Sequence, residues 1–194
     1  EPVPDPEADE RKLVERVAEG DEEAFEALVD AHEGKLLGFL TKMSGSPDVA
    51  REVAQEALVK AFFKAHTFDF RCSFFTWLCE IAIRKFLDLQ KKQKRWLRKH
   101  AIADLREQFD QPGKAPGPVE EAQSREAGDV VRAAIAQLSP NHQTVLLLRE
   151  LQGASYEEIA AAMNCSLGTV ESRLFRARQK LKQVLEPLIA RDEL

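Results

Sequence analysis

Apolar residues recur along this chain at three- and four-residue intervals, and alternating β-branched stretches are absent, so the pattern predicts helices and no sheet. Asp21 stands as an N-cap to a helix from Glu22 to about Met43, on which Phe25, Leu28, Val29, Leu36, Leu37 and Leu40 share a broad face. Ser46-Pro47 is a stop and restart, with Ser as cap and Pro at the first helical position. The helix it opens runs to about His66, with Val49, Val53, Ala54, Ala57, Leu58, Ala61 and Phe62 as its inner stripe. An aromatic-rich turn, Phe68 to Ser73, leads into a long helix from about Phe74 to Arg98.

Gln108 to Val119 breaks the pattern: three prolines and two glycines in twelve residues cannot continue a helix and leave little to bury. This segment reads as a flexible linker. Beyond it a helix is expected from about Glu120 to Gln137, then a Ser139-Pro140 start to a helix ending near Leu151 and closed by Gly153. Ser155-Tyr156-Glu157-Glu158 is a capping box for a short helix to Met163, and Asn164-Cys165-Ser166 is the following turn. The last helix runs from about Leu167 to Ile189 and contains Pro187. The expected fold is all-α, two small helical domains over residues 21–100 and 126–190, joined by a linker over 101–125 and preceded by an acidic extension, 1–20.

Composition changes this picture mainly through charge. The net charge of −5 hides a strong asymmetry: twelve acids against three bases in the first thirty residues, but eight Lys/Arg against one acid from Arg84 to His100. A second basic island, five Lys/Arg and one acid, spans Glu171 to Lys182. Two basic islands in an acidic chain suggest directed contact with phosphate. Cys72, Cys79 and Cys165 form no CxxC pair and read as buried thiols of a reducing compartment. The four histidines are far apart, no glycine motif resembles a phosphate loop, and no apolar run approaches the roughly 20 residues of a spanning helix. The expectation is a cytoplasmic protein without membrane insertion, catalytic residues, metal or cofactor.

The stretch from Leu138 to Leu185 has the layout of a helix-turn-helix, which needs a short helix, a tight turn and a second helix whose start can enter the major groove. Ile159, Ala160 and Met163 would face inward from the first helix, and Leu167, Val170 and Leu174 from the second. That leaves Thr169, Glu171, Ser172, Arg173, Phe175 and Arg176 toward the groove, with Arg178, Lys180 and Lys182 continuing the basic stripe. In the first domain, aromatics in and beside a turn precede a basic helix with Arg84, Lys85, Lys91, Lys92, Lys94 and Arg95. Rings offer stacking faces and cations track the backbone, which suits unstacked bases. Leu78, Ile81, Ala82 and Trp77 read as core, whereas one turn has difficulty burying Phe70, Phe74 and Phe75 together.

With these motifs in this order, the chain resembles the extracytoplasmic-function sigma factors, two-domain initiation subunits of bacterial RNA polymerase. The resemblance rests on Ala24 to Val29, Ala54 to Phe62, Phe75 to Leu78 through Asp88, Leu138 to Glu150, Ser155 to Ala160 and Gly168 to Arg178. It implies a region 2 bundle and a region 4 helix-turn-helix. Glu52, Gln55, Glu56, Val59 and Phe62 would dock on the clamp coiled coil of core RNA polymerase's large subunit. The resemblance assigns the minus-ten promoter element to Phe70, Ser73, Phe74, Phe75, Thr76, Trp77, Arg84, Lys85, Asp88, Lys91 and Lys92. It assigns the minus-thirty-five element to Ser155, Thr169, Glu171, Ser172, Arg173, Phe175 and Arg176. An anti-sigma factor would hold the protein inactive, and free of partners it would be a monomer. Many members carry a base at the position of Glu171; an acid there would favour cytosine amino groups or orient Arg173, and would repel phosphate. Two other classes share part of the pattern. A helix-turn-helix transcription factor would bind its promoter duplex without polymerase, and a helical module with an acidic partner would not depend on Arg173 and Arg176 for promoter-specific transcription.

Overall fold

The computed structural model describes residues 6–101 and 128–189, and within them the chain is helix and turn with no strand. The expected linker at 108–119 and the expected helix start at Glu120 lie outside the described residues. The stretch read as an acidic extension contributes a helix, α1 (Pro6–Ala18). Its Val14 and Val17, three residues apart, are both buried in the core, so the first domain's packing begins before residue 21.

α2 (Glu22–Ser44) starts where the Asp21 carboxylate accepts the amide of Ala24 at 3.0 Å. That hydrogen bond and the Arg16 guanidinium hold the Asp21 carboxyl below its ordinary pKa. The helix ends at Gly45, whose φ of 73° is a left-handed cap that other residues adopt only with strain. α3 (Pro47–Lys64) follows with Ser46 as cap and Pro47 in the first turn. Its buried stripe is Ala50, Val53, Ala54, Ala57 and Ala61, spaced as one helix face. Four of these five are alanines, which let α3 lie close against α2. A 3₁₀ turn (Ala65–Thr67) and the aromatic turn lead to α4 (Phe74–Ala101), where Leu78, Ile81, Ala82 and Ile83 complete the core with Leu28, Leu36 and Leu40 of α2.

The second unit holds α5 (residues 128–135), α6 (Pro140–Leu147), a π-helical turn (Leu148–Gln152), α7 (Tyr156–Ala162) and α8 (Leu167–Ile189). Gly153 closes the π turn with φ 81°. Gln143 to Leu148 are buried without interruption, so α6 has no solvent side along its second half. It packs against α8 on one side and α4 of the first unit on the other. The polar members of the run are satisfied locally: Gln143 Nε2 donates to the Leu138 carbonyl at 2.7 Å and Thr144 Oγ1 to the Pro140 carbonyl at 2.9 Å.

The buried apolar residues of both units form one continuous cluster. Polar contacts also join them: Gln152 Nε2 donates to Thr76 Oγ1 at 3.1 Å, Thr76 Oγ1 to Glu158 at 3.4 Å, and Arg71 to the Asn164 side chain at 3.4 Å. The junction is imperfectly filled, with a largely apolar cavity of about 380 Å³ whose lining includes Met43, Phe86, Ile135 and Leu147. Leu78 of α4 is fully buried in this continuous core. Leu78→Ala should lower unfolding stability by about 2–5 kcal/mol. Urea denaturation would show this as an earlier midpoint at nearly unchanged slope.

Candidate nucleic-acid interface

The aromatic turn is more enclosed than its sequence suggests, because elements distant in the chain cover it. Phe74 is 3% exposed, and it meets Phe68 and Trp77 at ring-centroid distances of 5.9 and 5.7 Å. Phe75 is half-buried and stacks on His32 at 5.8 Å with planes only 16° apart. Phe70 lies under the Arg11 guanidinium of α1, 4.5 Å from its ring centre, and against Phe68 at 4.8 Å. Its φ of 60° places a bulky side chain in the left-handed region, a conformation that costs about 1 kcal/mol or more. Thr76 is fully buried, and its backbone amide donates to Ser73 Oγ at 3.1 Å, capping α4.

An open depression beside this turn has Arg11, His32, Phe70, Arg71, Ser73, Phe75 and Glu158 in its wall. His32 Nε2 pairs with Glu10 at 2.8 Å, while its buried Nδ1 has no protein partner. Cys72 also borders the depression. Burial, then the negative charges of Asp69 and Glu158, push its thiol pKa up to about 11. Burial alone pushes Cys79 up to about 12. Along α4 the cations differ in availability. Arg84 is ion-paired with Glu80, Lys85 with Glu56 at 2.9 Å and Lys91 with Asp88 at 3.7 Å. Lys92, Lys94 and Arg95 are exposed and make no ion pair among the described residues.

On α3, the outward stripe carries Glu52, Glu56, Val59 and Phe63 at helical spacing, with Gln55 alongside. Val59 is 54% exposed and Phe63 69%. Phe62, the ring singled out from sequence, is instead half-buried and packs edge-on against Phe25 at 5.1 Å. Phe63 was missed because the two rings are adjacent. Its signal was its place four residues after Val59 on an otherwise polar stripe.

The helix-turn-helix is built by its caps. Ser155 Oγ accepts the Glu158 amide at 3.1 Å while the Glu158 carboxylate accepts the Ser155 amide at 2.9 Å. Asn164 adopts a left-handed φ of 48° in the turn, and Ser166 Oγ accepts the Thr169 amide at 3.2 Å to open α8. Ile159, Val170, Leu174 and Ala177 are buried between the two helices, whereas Leu167, expected inward, is 41% exposed. Glu171, Ser172, Phe175 and Arg176 are exposed on the first half of α8, and Thr169 is half-buried. Arg173 turns back toward the Cys165 sulfur at 3.8 Å, and Arg178 is held by Glu150 at 2.7 Å. Ser155 is half-buried with its hydroxyl engaged in the cap. His142 on α6 has a lowered pKa, through burial and then the nearby charges of Arg176 and Arg173.

Comparison with known proteins agrees with this architecture. Family models described as Sigma-70 region 2 and Sigma-70, region 4 match residues 28–96 and 129–181. The RNA polymerase sigma-H factor of Pseudomonas aeruginosa is 38% identical over 184 residues, covering 93% of this chain and 95% of the relative. The ECF RNA polymerase sigma-E factor of Haemophilus influenzae is 35% identical over 184 residues, 93% and 97% of the two chains. That of Escherichia coli K12 is 37% identical over 185 residues, 92% and 95%. Among solved structures, CnrH in complex with the cytosolic domain of CnrY aligns with a TM-score of 0.61 at 24% identity, covering 92% of this chain and 98% of that one. RpoE in complex with the anti-sigma factor NepR from Bartonella quintana aligns at 0.55 and 24% identity, covering 84% and 96%.

The raised thiol pKa of Cys72 has a direct consequence. At pH 7.5 a thiol-alkylating reagent should modify Cys72 about a hundredfold more slowly than an exposed thiol of ordinary pKa, since each pH unit below the pKa removes tenfold of the thiolate. Peptide mapping by mass spectrometry should show the rate climbing toward pH 11. Rapid modification at neutral pH would contradict the arrangement.

Proposed function

Because this chain belongs to the extracytoplasmic-function sigma factors of bacterial RNA polymerase, we propose that it binds core polymerase through its first domain and brings it to promoters read by both domains. The observation that carries this is the pairing of the two sigma regions in order within one chain, each with a surface suited to its task. The exposed α3 stripe of Glu52, Gln55, Glu56, Val59 and Phe63 is the docking face for the polymerase clamp coiled coil. Exposed apolar side chains, one of them aromatic, set in a polar rim match the anatomy of a protein-binding interface.

The minus-ten element is assigned to the aromatic turn and the start of α4, through Phe70, Ser73, Phe75, Arg84, Lys85, Asp88, Lys91 and Lys92. The strained backbone at Phe70 and the cations beyond it support that reading. Phe74, Thr76 and Trp77 act as its frame, since they lie in the core or in the ring cluster behind the turn. The minus-thirty-five element is assigned to the exposed start of α8, with Arg176 as its foremost cation. Ser155 and Arg173 support that helix through the cap and the turn. The functional units on this reading are the first domain over 21–100, extended by α1, the linker over 101–125 and the second domain over 126–190.

Phosphodiester chemistry is left to core polymerase, so the chain itself is not an enzyme. Among the described residues no helix is long and apolar enough to cross a membrane, and the proposed location is the cytoplasm. An anti-sigma factor is the proposed inhibitor. Support comes from the family and from the packed arrangement, in which Gln152 and Glu158 of the second domain cover Thr76 beside the proposed minus-ten site. An inhibitor gripping both domains would favour that closed form.

Run-off transcription with core polymerase on a promoter library tests the whole reading, with promoter-specific products expected only when the chain is present. Val59→Ala with Phe63→Ala should weaken polymerase binding about tenfold or more while leaving the helical spectrum unchanged. Undiminished binding would remove the α3 stripe from the docking face.

A further inference from the structure

The exposed face of α8 carries five cations between residues 171 and 182, and one acid, Glu171. Surface acids on basic helices usually have a local reason, and the obvious ones are absent here. The cap of α8 is Ser166, which takes the Thr169 amide, so Glu171 is not the helix's N-terminal acceptor. Residues three and four positions away are Leu167, Gly168, Leu174 and Phe175, none of which is a base. Arg173 is turned away toward Cys165, and Arg178 is committed to Glu150. Glu171 has no ion pair or hydrogen bond among the described residues, so the alternative that it orients Arg173 is not realised.

On a helix that approaches phosphate, an unpaired carboxylate opposes binding. That cost is offset where the carboxylate meets a hydrogen-bond donor in the groove. Major-groove donors are the N4 amino group of cytosine and the N6 amino group of adenine. Adenine sets its N7 acceptor beside the amino group, which repels a carboxylate and suits an amide side chain. Cytosine sets an apolar C5–H edge there instead. Glu171 is followed one turn later by Phe175, 62% exposed, and the two line the same shallow surface cavity with Tyr156 and Lys182. A carboxylate with an adjacent aromatic ring matches the amino group and apolar edge of a pyrimidine.

From this we propose that Glu171 is a specificity-determining residue, accepting a hydrogen bond from the N4 amino group of one cytosine in the upstream promoter element. This assignment rests on α8 being the helix that reads the upstream duplex. Glu171 is exposed and has no hydrogen bond or ion pair to lose among the described residues, so its replacement leaves the fold intact.

The test is transcription from a library randomised across the upstream element, using holoenzyme reconstituted from the full chain and core polymerase. Wild type should prefer cytosine at one position by about five- to 150-fold over other bases. Glu171→Ala should flatten that position alone, and Glu171→Gln should move its preference toward adenine. Arg176→Ala serves as the control, altering selection at a different position. If Arg176→Ala changes selection but Glu171→Ala leaves every position unchanged, the cytosine assignment falls and the reading of α8 stands. A uniform gain in output across all sequences with Glu171→Ala also overturns it, leaving the acid as a brake on phosphate binding. A wild-type library with no upstream preference removes both the assignment and the reading beneath it.

Discussion

Burial of α6 is the constraint on which the arrangement of this molecule depends. From Gln143 to Leu148 the chain is buried on every side, its apolar run Val145 to Leu148 turning nearly full circle, so one neighbour is not enough to cover it. α8 covers one side and thereby fixes the angle at which the helix-turn-helix presents its outer face. α4 covers the other and thereby draws the second unit onto the first. The contact is extensive enough to merge the two cores into one cluster. Beside it lies an open, largely apolar cleft of about 380 Å³ lined by α2, α4, α5 and α6.

The same junction has a polar edge, and that edge touches the proposed minus-ten site. Thr76 is at once part of the Ser73 cap of α4 and a partner of Gln152 and Glu158. Glu158 in turn belongs to the capping box of α7. A separation of the units would leave the caps of α4 and α7 in place, because each is satisfied within its own element. It would release only the bridging bonds, which water can replace. The local folds are therefore expected to persist whether the units are together or apart, as two reading heads at variable spacing require.

Much of this was legible in the sequence, for identifiable reasons. Asp21, Ser46-Pro47 and the Ser155–Glu158 box mark helix starts where they were expected, because a cap is a local interaction whose partners lie three residues apart, and Ser139-Pro140 does so through Pro140 in the first turn, the Ser139 side chain making no cap bond. α1 was not legible: its apolar edge is only Leu13, Val14 and Val17 among acids and bases, and its helix is stabilised by packing against α2. The burial of the aromatic turn was equally hidden, since the groups that cover it, Arg11 and His32, come from α1 and α2. Phe62 and Phe63 differ by one helical step of about 100°, finer than the broad stripe of α3 could resolve. Which cations are already paired was illegible for the same reason, since Lys85–Glu56 and Arg178–Glu150 join residues 29 and 28 positions apart.

That pairing decides how the basic islands can work. Arg84, Lys85, Lys91 and Arg178 each face an acid of the same molecule, so much of their charge is neutralised before phosphate arrives. Lys92, Lys94 and Arg95 on α4, and Arg176, Lys180 and Lys182 on α8, remain without ion pairs among the described residues. Each phosphate neutralised contributes about 0.9 to the salt slope of duplex binding, so a few cations on a chain of net charge −5 give weak, salt-sensitive affinity. Raising the number of free cations would bind more DNA but of every sequence. Holding it low leaves recognition to base contacts and to the combined action of two heads on one polymerase, where the second contact benefits from the high effective concentration set by the first. Apart from Arg84–Glu80, whose acid is buried, the ion pairs of α4 and α8 are exposed and individually weak as stabilising bridges, and their effect is to lower the positive charge each helix offers to phosphate.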